Sequence, residues 1–410
     1  MKRDLKTRLA EMQKSGQIKT GRQLAEAQVI PGEDRLFPGE GREEQTPFGP
    51  CYMRELHFPL EHRHGNSTLS GMLTCSGPQL ALPARDRNID HFNPYRSLFL
   101  DVETTGLSGG TGTWAFLIGL GMLKQNTFLL RQYFLRRPAE ERSVLTHFAA
   151  EAAKYPTMIT FNGKMFDLPL LQTRQMLSGF RHTVPEQHLD LLQCARTLWK
   201  KRLASRSLRS IEESLLGLRR FGDIPGAEIP AVYFDYLRRG KTAQLKQVFH
   251  HNVLDILSMV TLLERVSCLG AGEKIEHPAE ALALGKLCLE AGRAAEGLQH
   301  LEAAAVTGSG AAAQEAALEL ALYHKRAGRW PQAVEIWQRI AAADQPNPAA
   351  LIALAKYYEH QAGMYNKALA LTETALEMIK PNTFQQPASG ELSKEALLHR
   401  KARLLRKTLY

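Results

Sequence analysis

Two carboxylates close the stretch LFLDVETTGLSGG, residues 98–110, where a run of large apolar side chains ends on Asp101 and then Glu103. Alternate side chains of a strand share a face, so both acids point the same way and repel each other unless a cation lies between them. A third acid, Asp167, follows the break in FNGKMFDLPLL, residues 161–171. A fourth, Asp255, sits on an otherwise apolar helical face in HHNVLDILSMVTLLERV, residues 250–266. One such acid alone reads as a strand end or a surface charge. Three acid-bearing segments together read as a site, because each buried carboxylate needs a partner. Two divalent cations would serve all four, and oxygen-only donors suit Mg²⁺ or Mn²⁺ rather than zinc. Two such ions about 3.5–4 Å apart are the apparatus for in-line attack of water on a phosphodiester. A histidine beside Asp255 would take the water's proton. His251, four residues before Asp255, lies about 40° from it on a continuous helix, and His250, five before, about 140°. That favours His251 if the helix already runs through Asn252; if the helix starts later, both histidines stay open.

These acids need a scaffold, and the flanking periodicities supply one. SLFLDVETT, TWAFLIGLGML and TFLLRQYFL read as three successive strands, the first two joined by the turn GLSGGTG. PAEERSVLTHFAAEAAKY has helical spacing with acids in its first turn, TMITFN is a further strand, and GKMFDLPLLQTRQML opens a helix. A meander followed by alternating strands and helices predicts an α/β layer fold over residues 96–268. Residues 1–95 read as an N-terminal extension. VIPGEDRLFPGEGREEQTPFGP has linker composition, and CYMRELHFPL and LSGMLTCSG read as short strands around the turn EHRHGN. His57, His62 and His64 there suggest a solvated hairpin more than a metal site, since no cysteine or acid completes the ligand set.

From residue 279 to 410 alanine and leucine recur at helical spacing. LCLEAGRAAEGLQHLEAAA, LYHKRAGRWPQAVEIWQRI and YYEHQAGMYNKALALTETAL align on Gly292, Gly328 and Gly363, 36 and then 35 residues apart. Helix, glycine turn and second helix at that period match the tetratricopeptide type of repeat, with the basic helix at 393–408 as a cap.

Composition narrows the partners. The net charge of +10 favours an anionic polymer such as nucleic acid. Residues 190–246 carry twelve Lys or Arg against six acids, a pattern that phosphate contacts or a solvated helix face would both produce. Five scattered cysteines without a CxxC pair argue against a disulfide framework and a zinc site. The longest apolar stretch, residues 113–123, is too short to span a bilayer, and the charged start lacks a signal-peptide core. A cytoplasmic protein without a membrane partner is the expectation.

DVETTGL, then NGKMFD, then a histidine shortly before an aspartate resemble the three exonuclease motifs of the DnaQ-like (DEDD) 3′→5′ exonucleases, which share an RNase H-like fold. GTGTWAFLIGLG, HLDLLQCARTLW, HNVLDILSM and the trailing helical repeats resemble, more narrowly, the YprB-type RNase H-like proteins. The resemblance covers about residues 96–266. It implies an RNase H-like mixed sheet flanked by helices and followed by a tetratricopeptide-like helical domain. It also implies metal binding by Asp101, Glu103, Asp167 and Asp255, with His250 or His251 as general base. Thr104, Thr105 and Gly106 would contact the terminal nucleotide, although a polar turn at a strand end explains them equally. Asn162 would orient the site or make the turn before the helix. Asp190 would be a further ligand or, more simply, a helix cap. The expected activity is hydrolysis from a single-stranded 3′ end, with the repeats free to dock a protein. A structure-specific endonuclease on the same site, or an inactive binding scaffold, are the competing expectations.

Overall fold

The computed structural model describes residues 41–106, 112–240, 242–307, 310–378 and 393–409. Most of the GLSGGTG turn and everything before Gly41 lie outside them. Two compact units divide the chain after Glu273, and each is described by itself.

The first unit is built on one seven-stranded mixed sheet. Its strands are β1 (Gly41–Thr46), β2 (Gly49–Pro59), β3 (Ser97–Thr104), β4 (Ala115–Lys124), β5 (Thr127–Phe134), β6 (Thr157–Thr160) and β7 (Gln187–Asp190). They lie in the order β1-β2-β5-β4-β3-β6-β7. Pairing is antiparallel from β1 to β3 and parallel from β3 to β7. The helices are α1 (Gly77–Ala84), α2 (Glu141–Ala152), α3 (Asp167–Leu177), α4 (Leu191–Trp199), α5 (Ile229–Arg239) and α6 (Leu245–Gly270). This is the RNase H-like mixed sheet with helices that the motifs implied.

Two expectations for the N-terminal part change. The Pro- and acid-rich segment enters the sheet at Gly41, because TPFG is the turn of a β1–β2 hairpin rather than linker. LSGMLTCSG is not a strand: Leu69–Thr74 is a 3₁₀ turn, whose threefold period puts Leu69 and Met72 on one buried side.

Helices cover both faces of the sheet. On β5, Gln132 bonds to Asn252 of α6, whereas the next residue, Tyr133, stacks on His147 of α2 with ring centroids 5.4 Å apart. Successive strand residues face opposite ways, so α6 and α2 lie on opposite sides. On the α6 side, Tyr233 of α5 stacks on Phe116 at 4.1 Å and donates to the Leu135 carbonyl at 2.8 Å.

The seating of α6 depends on Gly119 and Gly121 of β4. A Cβ built on Gly119 would lie 2.2 Å from Asn252 Oδ1, and one on Gly121 would lie 2.7 Å from Ile256 Cγ2. Only a strand without side chains there lets the helix come this close.

In the second unit, three pairs of helices follow one another: α7 (Pro278–Glu290) and α8 (Ala294–Thr307), α9 (Ala311–Arg326) and α10 (Trp330–Ala341), α11 (Pro348–His360) and α12 (Tyr365–Met378). Gly292, Gly328 and Gly363 make the turns within the pairs in the left-handed region, with φ of 79°, 72° and 66°. α13 (Lys394–Thr408) closes the unit through Glu359. The buried Glu359 carboxylate accepts from Arg400 at 2.7 Å, from Arg403 through two bonds of 2.8 Å, and from Lys407 at 3.1 Å. Among the described residues, no helix of the chain is long and apolar enough to cross a membrane.

Two outcomes follow from this packing. Gly119→Ala should cost about 1–3 kcal/mol, read as a lowered melting temperature of the first unit; an unchanged value would mean that α6 has room to lift. Burial raises the Glu359 pKa, but bonds from Arg403 and Lys407, with the charges of Arg403 and His360, outweigh it and bring it down to about 2. A depressed acid contributes stability above its unfolded pKa, and that contribution fades as pH falls from about 4.5 toward 2. Glu359→Gln should therefore speed hydrogen exchange in α11 and α13 at pH 7, with a gap from wild type that narrows at pH 3.

Candidate active site

Asp101 and Glu103 leave β3 on the face covered by α6. Asp101 stands opposite Gly119, which stands opposite Gln132, so three strands present one row of side chains beneath the helix. Asn252 fills the space above Gly119 and is itself fully buried. Its Nδ2 donates to Asp101 Oδ2 at 2.7 Å, while its Oδ1 accepts from Gln132 Nε2 at 2.8 Å. The register slips between Glu103 and Thr104, a bulge that ends regular pairing just beyond the acids. Asp167 is the first residue of α3, where the helix dipole favours a negative charge. Asp255 lies one turn beyond His251 on α6.

The four acids feel one another. Burial, then the charges of Asp255 and Asp167, push the Asp101 carboxyl well above the usual range, against the pull of the Asn252 bond. Burial, then Asp101, Asp255 and Asp167, do the same to Glu103. Burial, then Asp190 and Asp255, raise Asp167 to about 7. Three separate elements thus place their carboxylates in one electrostatic cluster, and each ionised acid makes the next harder to ionise.

Compensation within the cluster is uneven. Arg220, whose side chain is only 4% exposed, donates through Nη2 to Asp255 Oδ1 at 2.5 Å. It also forks onto Glu212, with Nε to Oε2 at 2.8 Å, and reaches Asp223 Oδ2 through Nη1 at 3.0 Å. Asp101, Glu103 and Asp167 form no ion pair with a basic side chain among the described residues. His251 Nδ1 lies 2.8 Å from Asp223 Oδ2, and its Nε2 lies 3.7 Å from Asp255 Oδ2. A carboxylate at Nδ1 fixes the proton there and turns the Nε2 lone pair to the acids. Burial would raise the Asp223 carboxyl, but the bonds and charges of His251 and Arg220 hold it below its ordinary value. α6 begins at Leu245, well before Asn252, so the helical geometry applies. His250 is exposed and is not brought into this cluster.

The remaining candidates hold local structure. Thr104 Oγ1 donates to the Gly106 carbonyl at 2.9 Å, and Thr105 Oγ1 accepts from the Trp114 amide at 2.9 Å. Asn162 takes φ of 68°, a turn conformation that asparagine tolerates. Asp190 caps α4 through the Leu192 amide at 3.0 Å and accepts from the Asn162 amide at 2.8 Å, so it fastens the turn that delivers Asp167. His57 bonds to Glu55, His62 packs on Phe58, and His64 is buried with Nε2 2.7 Å from Ser258 Oγ, so the three do not converge.

The cluster fits a hard divalent cation in kind: its donors are all carboxylate oxygens, and three of them lack a cationic partner. As they stand, no three His, Cys, Asp or Glu among the described residues are gathered closely enough to hold an ion. Asp255 is moreover engaged by Arg220. Sequence reading missed Arg220, Asp223, Glu212, Asn252 and Gln132. Arg220 was one of twelve bases in a basic stretch, and Asn252 stood in plain view between His251 and Asp255.

Residues 98–267 match the family model described as the RNase_H superfamily. The uncharacterized protein YprB of Bacillus subtilis (strain 168) is 33% identical over 338 residues, spanning 80% of this chain and 80% of the relative. Among solved structures, the family B DNA polymerase from the hyperthermophilic archaeon Pyrobaculum calidifontis aligns at 11% identity with a TM-score of 0.36, over 77% of this chain and 46% of the polymerase. That likeness is too distant to bear on the chemistry. With an RNase H superfamily domain and a relative matched along four fifths of both chains, the chain belongs to the YprB family.

Proposed function

We propose that the protein is a divalent-metal-dependent nuclease of the DEDD type that removes nucleotides from a free 3′ end. The observation that supports this reading is the electrostatic coupling of Asp101, Glu103 and Asp167 to one another or to Asp255 across β3, α3 and α6, with His251 Nε2 3.7 Å from Asp255 Oδ2. Mg²⁺ or Mn²⁺ bound to these acids would supply the positive charge that the pentavalent phosphate needs and would ease ionisation of a water. His251 accepts that water's proton at Nε2, and Asp223 stabilises the resulting imidazolium from Nδ1. The water oxygen bonds to phosphorus, the P–O3′ bond breaks, and the leaving O3′ takes up a proton. The products are a nucleoside 5′-monophosphate and a chain one residue shorter. Phe166 and Phe221, 54% and 90% exposed, each adjoin a residue of the cluster and offer faces on which unpaired bases stack. The helix pairs of the second unit fit a tetratricopeptide-like module that docks a protein partner.

A 3′-labelled single strand should be shortened stepwise in Mn²⁺, and a circular single strand should survive. Cleavage of the circle would convert the reading to an endonuclease. Asp101→Asn should lower the rate on the order of 10³-fold. The same change should raise the melting temperature in chelator by about 2–5 °C. The sign follows from an acid whose folded pKa is raised: its ionisation opposes folding as pH rises, and removing the charge lifts that penalty. A loss of both rate and stability would indicate simple misfolding. Asp223→Asn should reduce kcat by about 10²–10⁴-fold with little change in KM, because His251 loses the partner that sets its tautomer.

A further inference from the structure

His251 stands between two carboxylates that one arginine holds. Asp223 Oδ2 lies 2.8 Å from His251 Nδ1 and accepts from Arg220 Nη1 at 3.0 Å. On the other side of the ring, Asp255 Oδ2 lies 3.7 Å from Nε2, and Asp255 Oδ1 accepts from Arg220 Nη2 at 2.5 Å. The four groups form a closed circuit, spanned by the fixed separation of Nη1 and Nη2 on a planar guanidinium.

The two carboxylates compete for the one N–H of a neutral imidazole. Asp223 is within hydrogen-bonding distance of the ring and Asp255 is not. Residues 217–225 belong to neither helix nor strand, so Arg220 supplies the bond that turns the Asp223 carboxylate toward Nδ1. The same guanidinium takes up Asp255 Oδ1 and keeps Oδ2 from closing on Nε2. Arg220 is itself anchored from behind. Its Nε and Nη2 fork on Glu212, which is fully buried. Ser258 Oγ donates to that carboxylate and accepts from His64 Nε2 at 2.7 Å. Withdrawing Arg220 would strand the Glu212 charge in the interior, which holds the guanidinium in place. A lysine there would keep the charge and lose the fork.

Resting on the nuclease reading above, we propose that Arg220 is a positioning residue for the general base. By holding Asp223 on Nδ1 and Asp255 off Nε2, it selects the His251 tautomer whose Nε2 lone pair accepts a proton.

The test is ¹⁵N NMR of the full chain in chelator at about pH 8, with the His251 ring signals assigned by their loss in His251→Gln. The wild-type ring is expected to carry its proton on Nδ1. Arg220→Lys should shift the equilibrium toward Nε2–H by about tenfold or more. In Mn²⁺ the same variant should lower kcat about 100-fold with KM within about threefold. Added to Asp223→Asn it should cost less than about threefold more, because both act through one ring. A wild-type ring protonated on Nε2, a tautomer unmoved by Arg220→Lys, or losses that multiply in the double variant would each overturn the proposal. Should Arg220→Lys fail to fold, Ser258→Ala decides, because it loosens Glu212 and leaves the guanidinium in the chain. A smaller shift in the same direction is expected from it, and no shift overturns the proposal. A wild type that cleaves nothing would overturn the nuclease reading alone, since the ring signals do not depend on cleavage.

Discussion

The close approach of α6 to β4 is the constraint on which the rest of the first unit hangs. Two strand glycines remove the side chains that would hold the helix off, and Asn252 occupies the space over Gly119. From that seat one amide ties Asp101 on β3 to Gln132 on β5. The same seat puts His251 one residue to one side and Asp255 three to the other, so the helix half of the site is set by the contact that packs the core. Sheet, helix and acids are therefore not separable contributions. A lift of the helix that loosened the packing would also carry His251 and Asp255 away from β3.

Charge is handled in two ways within a few residues. At Asp255 the protein supplies its own cation, Arg220, braced by a fully buried glutamate and a hydroxyl–imidazole pair behind it. At Asp101, Glu103 and Asp167 it supplies none, and burial with mutual repulsion keeps those acids hard to ionise. Folding pays for the second arrangement in stability, and the strength of a buried strand and a helix N-terminus is what keeps it assembled. The second unit shows the opposite resolution, with Glu359 surrounded by three bases and its carboxyl held far below the ordinary range.

Most of this was legible in the order of the residues. The strands of the meander, the helix after Asp167 and the glycine turns of the helix pairs each follow from a local period or a local break, and these survive folding. Asp101 and Glu103 were visible because a strand's twofold period puts them on one side. Arg220 was not, because a buried arginine and the eleven other Lys and Arg of its stretch look alike in a sequence; what turns it inward is Glu212, eight residues earlier, whose burial the chain order does not mark. Asp223 was hidden for the same reason. The leading hairpin was misread because TPFG is as good a linker as it is a turn, and only the partner strand decides between them. The choice between His250 and His251 turned on where a helix begins, which is the part of an element that sequence states least clearly.

The turn EHRHGN carries a consequence for how the molecule divides. Asn66 donates to the Leu216 carbonyl at 2.7 Å, and His64 completes the hydrogen-bonded chain that ends on Glu212. The leading segment is thus part of the foundation beneath Arg220, although it precedes every acid of the site. A fragment trimmed to the nuclease-like motifs alone would keep all four carboxylates and lose the buttress behind them. Modularity in this chain ends earlier than its motifs do.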